Sequence, residues 1–123
     1  MERIWVAAGA LAGLSGLAMA AATAHALAPR LDPAQAEALR GAVQMQLVHA
    51  LALLACGLWV GRGGGLAQWA GAAFLIGMLG FCGAIYARAL FAVGLPMLAP
   101  AGGMALMAGW VLLALSALWP RGA

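Results

Sequence analysis

The chain has 123 residues, of which 67% are hydrophobic and 7% charged, and a net charge of +3. Soluble domains carry roughly 25% charged residues, so this composition excludes a water-facing globular surface and implies an all-α integral membrane protein, one domain covering residues 1–123. The basic residues are all Arg and are scattered, which excludes the clustered patch that a nucleic acid would need.

A spanning helix takes about 20 mostly apolar residues, and four windows qualify: residues 4–24, 41–60, 66–87 and 101–119. The expected architecture is therefore a four-transmembrane-helix antiparallel bundle. The first window has a charged start and the triplet Ala22–Thr23–Ala24, both features of secretory signals. Its apolar run is longer than the roughly 7–15 residues of a signal core, so a retained helix is expected. Before the second window, Asp32–Pro33 reads as helix cap and first helical position, with Gln35 at the third. Glu37 and Arg40, three apart, can pair. A helix from Pro33 to Gly61 would be roughly 43 Å long, beyond a hydrocarbon core of about 30 Å, so its first turns belong in the headgroup layer. The segment Arg62–Gly65 (RGGG) reads as a tight turn into the third window. Pro96 and Pro100 separate the third window from the fourth.

Four spans put both termini on one face, which collects Arg3, Trp5, Trp59, Arg62, Trp69, Trp119 and Arg121. Tryptophan at span ends marks the interface. The opposite face has Arg30, Arg40 and Arg88. Arg3 beside the first span and Arg62 in the shortest loop favour termini in the cytoplasm, in a bacterial inner membrane. Small residues recur every four positions on the first helix, at Ala8, Ala12, Gly16, Ala20 and Ala24. Gly77 and Gly80 on the third helix, and Gly102, Gly103 and Gly109 on the fourth, also permit close helix approach. Cys56 and Cys82 form no CxxC pair and read as small buried residues. No metal motif, cofactor site or catalytic constellation is visible.

The second window holds amides and an imidazole in an apolar run: Gln44, Gln46 and His49. Helix direction places His25, Gln46, His49, Tyr86 and Arg88 in one layer, in the half of the bilayer away from the termini. One reading is hydrogen bonding between helices, with His49 facing inward to a partner on the first or third helix. The other is a polar cavity for a small molecule, a quinone-like headgroup or a proton. Arg88 can also snorkel to the headgroups. Heme ligation by His25 and His49 is disfavoured because the two lie at different depths.

Ala24–His25, then Gln46, His49, Ala50 and Leu51, then Gly83 and Tyr86, then Pro100, Gly102, Gly103, Gly109 and Trp110 form an ordered set of motifs. In these the chain resembles the small YgdD-like inner-membrane proteins, the domain of unknown function 423 family, whose eukaryotic relatives are called transmembrane protein 256. Ala26, Met45, Val48 and Arg88 depart from the family pattern. The resemblance implies the small helical membrane fold and carries no assigned activity. The expectation is a non-enzymatic accessory or interaction component, in contact with the lipid bilayer and with a larger membrane complex or a second copy of itself. The alternative is a protein handling small molecules or protons through His25, His49 and Tyr86.

Overall fold

The computed structural model describes residues 2–119. Arg121, counted above on the terminal face, lies outside them. The described residues form three helices, α1 (Glu2–Ala24), α2 (Pro33–Phe91) and α3 (Leu98–Leu118), with a 3-10 turn at Ala28–Arg30. All three helices are long and apolar enough to cross a membrane.

The helix count departs from the expected four. The second and third windows belong to one helix of 59 residues, broken at a single point. The turn expected over Arg62–Gly65 contracts to Gly64, which alone leaves helical dihedrals at φ 62°, ψ −144°. Only glycine adopts that region without strain, because any Cβ would clash there. At this residue α2 doubles back, so that its arms 33–63 and 65–91 run side by side. Cys82 donates to the Ala42 carbonyl at 3.3 Å and Tyr86 to Gln46 at 2.6 Å across the two arms.

The helix ends have local causes. Asp32 accepts from the Gln35 backbone N–H at 2.8 Å while Gln35 accepts from the Asp32 N–H at 3.0 Å, a reciprocal capping box with Pro33 at the first position. Glu37 and Arg40 pair at 3.3 Å on the exposed side, where such a pair contributes little. The C-terminus of α2 closes on Ala92 in the left-handed region at φ 57°. α3 starts at Leu98, three residues before the window at 101, because Pro100 falls in its first turn, where no N–H is needed.

α1 and α3 both pack against α2, which lies at the centre. Among the buried positions, one series on each helix recurs at alternating steps of three and four. Its members are Trp5, Gly9, Ala12 and Gly16 on α1, and Leu39, Ala42, Gln46, His49, Leu53, Cys56 and Val60 on the first arm of α2. Ala67, Ala70, Phe74 and Gly77 on the second arm, and Gly102, Leu106 and Gly109 on α3, continue the pattern. A 3.5-residue repeat is the seam of left-handed helix packing. The every-four row on α1 does not follow that seam, since each step of four overshoots a turn by about 40°. Ala12 and Gly16 are buried, Ala8 and Ala20 are half-buried, and Ala24 is exposed.

Glycine sets the closest approaches. A Cβ on Gly102 would lie 2.3 Å from the Phe81 nitrogen, and one on Gly77 would lie 2.8 Å from the Gly102 carbonyl. Gly80 faces Gly102 as well, at 3.4 Å, whereas Gly103 meets only the Phe81 ring edge at 3.7 Å. Two of the terminal-face tryptophans turn inward: Trp5 donates to Gln68, and Trp59 donates to Ser116 at 3.0 Å. These bonds gather the start of α1, the Gly64 bend and the end of α3 on one face. Trp69 and Trp119 point outward.

Candidate functional site

Two polar clusters sit midway along the helices, and both are built on the first arm of α2. In the first, Gln46 is buried and its Nε2 donates to the Ala12 carbonyl at 3.0 Å and to Ser15 Oγ at 2.8 Å. A carbonyl can only accept, so the Ala12 contact fixes which end of the amide is nitrogen. Gln46 Oε1 then faces Tyr86, whose hydroxyl must donate, at 2.6 Å. Ser15 accepts from Gln46 and turns its own hydrogen to the Leu11 carbonyl at 2.9 Å. The cluster therefore ties α1 to both arms of α2.

In the second cluster, His49 is 3% exposed. Its Nδ1 lies 2.6 Å from the Met45 carbonyl, so the hydrogen is on Nδ1. The bare Nε2 accepts from Trp110 Nε1 at 3.0 Å. The His49 ring also packs on Phe74 and Trp110 at centroid distances of 5.6 and 5.7 Å, and those two meet edge-on at 4.9 Å. The hydrogen-bond partner of His49 is thus on α3. The first helix and the second arm of α2, where it was expected, supply no hydrogen bond and one aromatic wall. Gln46 and His49 are about 60° apart around the helix at 3.6 residues per turn, which suffices to aim them at different neighbours.

Of the five layer residues, the structure brings Gln46 and Tyr86 into one cluster and places His49 in the other. His25 lies in the turn after α1, exposed, with its backbone N–H on Ala21. Arg88 is exposed beside the Asp32 cap, where the two residues line one shallow hollow. Neither joins the clusters: His25 lies beyond the end of α1, and Arg88, two residues after Tyr86, stands about 160° from it around the helix. Sequence reasoning missed Ser15, Phe74 and Trp110 as members. Ser15 had a legible signal, a hydroxyl in an otherwise apolar span. The clusters leave no buried side-chain nitrogen or oxygen without a partner among the described residues. No group of three metal-ligating side chains occurs among those residues either. Cys56 and Cys82 are buried free thiols.

The first cluster is not sealed. A groove of about 510 Å³ runs between α1 and the second arm of α2, with Ser15, Gln46 and Tyr86 at its polar end. Its remaining walls are apolar or thiol-bearing, including Leu11, Met78 and Leu79, and no charged residue lines it.

An all-helical fold with apolar helices and a polar girdle at mid-span defines a small membrane protein of helical type. The profile of the family described as "Protein of unknown function (DUF423)" matches residues 19–103, and the chain belongs to that family. It is 30% identical over 93% of its length to a UPF0382 membrane protein of Staphylococcus haemolyticus, 94% of which is covered. A UPF0382 membrane protein of Haemophilus influenzae is 32% identical, over 85% of this chain and 86% of its own. No solved structure gives a significant match.

Proposed function

We propose that the chain is a non-enzymatic accessory component of the bacterial inner membrane, crossing it four times with both termini in the cytoplasm. A straight helix of 59 residues would be about 88 Å long, nearly three times a hydrocarbon core, so the reversal at Gly64 supports two crossings by α2. The observation that carries the accessory reading is the use of the mid-span polar groups. Gln46, Ser15, Tyr86, His49 and Trp110 bond to one another and to backbone carbonyls, which fixes helix positions and gives the molecule a defined outer surface. Purification from native membranes in mild detergent, with mass spectrometry of co-purifying proteins, tests the role. A stoichiometric membrane partner supports it, and a chain recovered alone after mild cross-linking in membranes opposes it. Labelling of cysteines placed at Gly64 and Met97 tests the topology: the two sites should react from opposite sides, Gly64 from the cytoplasm.

A second reading has its own support. The groove beside Ser15, Gln46 and Tyr86 joins an apolar wall to polar atoms, the usual make-up of a small-molecule site. On this reading the protein holds a membrane-dissolved amphiphile. His25 has no part in it, and His49 serves to hold α3.

A further inference from the structure

The hydrogen-bond directions in the first cluster determine what the groove can recognise. Both Nε2 hydrogens of Gln46 are engaged, by Ala12 and Ser15. The Tyr86 hydrogen goes to Gln46 and the Ser15 hydrogen to Leu11. Each donor at the polar end is therefore used within the protein. What is left is acceptor capacity: lone pairs on the Tyr86 oxygen, on Gln46 Oε1 and on Ser15 Oγ. The three residues line the groove, and Ser15 is exposed on its lipid side.

The groove is elongated along the helices. It runs from Ala8 to Met19 on α1 and from Leu75 to Tyr86 on α2, about 16 Å at 1.5 Å per residue. Its polar end lies inside the hydrocarbon layer, since Ser15 is nine residues from the end of α1 at Ala24, about 13 Å. An ionic headgroup at that depth would be desolvated with no counter-charge in the lining. A headgroup with only acceptors, such as a quinone, would set lone pairs against lone pairs.

We infer that this groove is a binding site for an uncharged, chain-like amphiphile with a hydroxyl group. The hydroxyl donates to the Tyr86–Gln46–Ser15 acceptors and the apolar chain lies along the wall towards Ala8 and Leu75. The inference rests on the small-molecule reading and adds to it the donor requirement.

The test uses the full chain in lipid nanodiscs and two probes. One is a sixteen-carbon primary alcohol with a mid-chain diazirine, and the other is its methyl ether, which lacks the donor. After photolysis, labelled residues are mapped by mass spectrometry. The alcohol should label the walls at Leu75 and Met78 roughly threefold or more above the ether, the gain that a hydrogen bond in lipid gives. Gly83→Leu should bring wall labelling by both probes down to the level of outward-facing Leu14, and undiminished labelling in the folded variant would overturn the groove as the site. Gly83 lines the groove, and a Cβ there meets nothing within 4 Å, so the added side chain starts into the open space of the groove. Equal labelling of the walls by both probes would overturn the donor requirement while leaving the groove as a binding site. Wall labelling no higher than that of outward-facing Leu14 would overturn both. Should the variant fold poorly, the probe pair on the unaltered chain decides.

Discussion

Gln46 and His49 stand one turn apart on the same arm of α2, and both are buried, yet their surroundings differ in kind. His49 is closed off: each ring nitrogen has one partner, and the Phe74 and Trp110 rings pack against the imidazole at tilted and edge-on angles. Gln46 is equally well bonded but borders an open groove. The difference follows from what each faces. α3 approaches α2 through Gly102 and Gly109 and brings an indole against the imidazole. α1 touches the first arm through Gly9 and Gly16, and its outward edge stands off from the second arm, leaving the groove. A buried polar residue in a span can thus be sealed or border an open groove, and what decides is whether the neighbouring helix brings a bulky side chain against it or stands off.

The largest expected effect breaks the sealed side. A Cβ on Gly109 would lie 2.6 Å from the Phe74 ring, which is itself locked against His49 and Trp110. Gly109→Leu should cost about 3 kcal/mol, the upper end of overpacking. Gly83→Leu on the groove side should change stability by less than about 0.5 kcal/mol, as surface changes do. Both are read from denaturant titrations in detergent. Comparable losses for the two variants would mean that the groove is as tightly filled as the aromatic joint.

The next effect compares the two polar residues. Gln46→Leu removes three hydrogen bonds linking α1 and both arms of α2. At about 0.6 kcal/mol per bond in a membrane protein, the loss is about 2 kcal/mol. His49→Leu removes one bond between helices and leaves the Trp110 N–H without its acceptor, a loss of about 1 kcal/mol. The same unfolding assay ranks the pair. A larger loss at His49 would show that the aromatic packing, and not the bond count, sets the strength of the joint.

How much of this was legible beforehand depends on contrast. Asp32, Pro33 and Gln35 announced their cap because local chemistry alone decides it. The apolar windows were legible because hydrocarbon demands length. The inner faces were harder, since lipid-facing positions such as Leu14 and Leu51 are as apolar as buried Leu53, so hydrophobic periodicity carries no signal. Small and polar residues do carry it, but a four-residue reading of α1 follows Ala20 and Ala24, whereas the seam from Trp5 to Gly16 steps by three and four. The helix count was missed because RGGG allows a loop, and only the surrounding structure shows that one residue, Gly64, makes the turn. Within the candidate site, Gln46, His49 and Tyr86 stood out as polar groups in spans. Trp110 did not, because tryptophan is usually an interfacial marker and α3 gives no local reason for one at mid-span.

The smallest effect is the sharpest test of whether the two clusters are separate. Tyr86→Phe deletes a single hydroxyl from the first cluster, and Trp110→Phe deletes the indole donor from the second. Each alone should cost about 0.6 kcal/mol on the hydrogen-bond scale of membrane proteins. Tyr86 and Gln46 share a bond, so Tyr86→Phe in a Gln46→Leu background should cost almost nothing further. Tyr86 and Trp110 share no hydrogen-bond partner, and their effects should add to within about 0.5 kcal/mol. A double-mutant cycle over these positions measures both couplings with the same unfolding assay. Appreciable coupling between Tyr86 and Trp110 would mean that Gln46 and His49 move together on their shared arm. The groove and the α3 joint would then be one cooperative unit, and filling the groove would tighten the grip of α3.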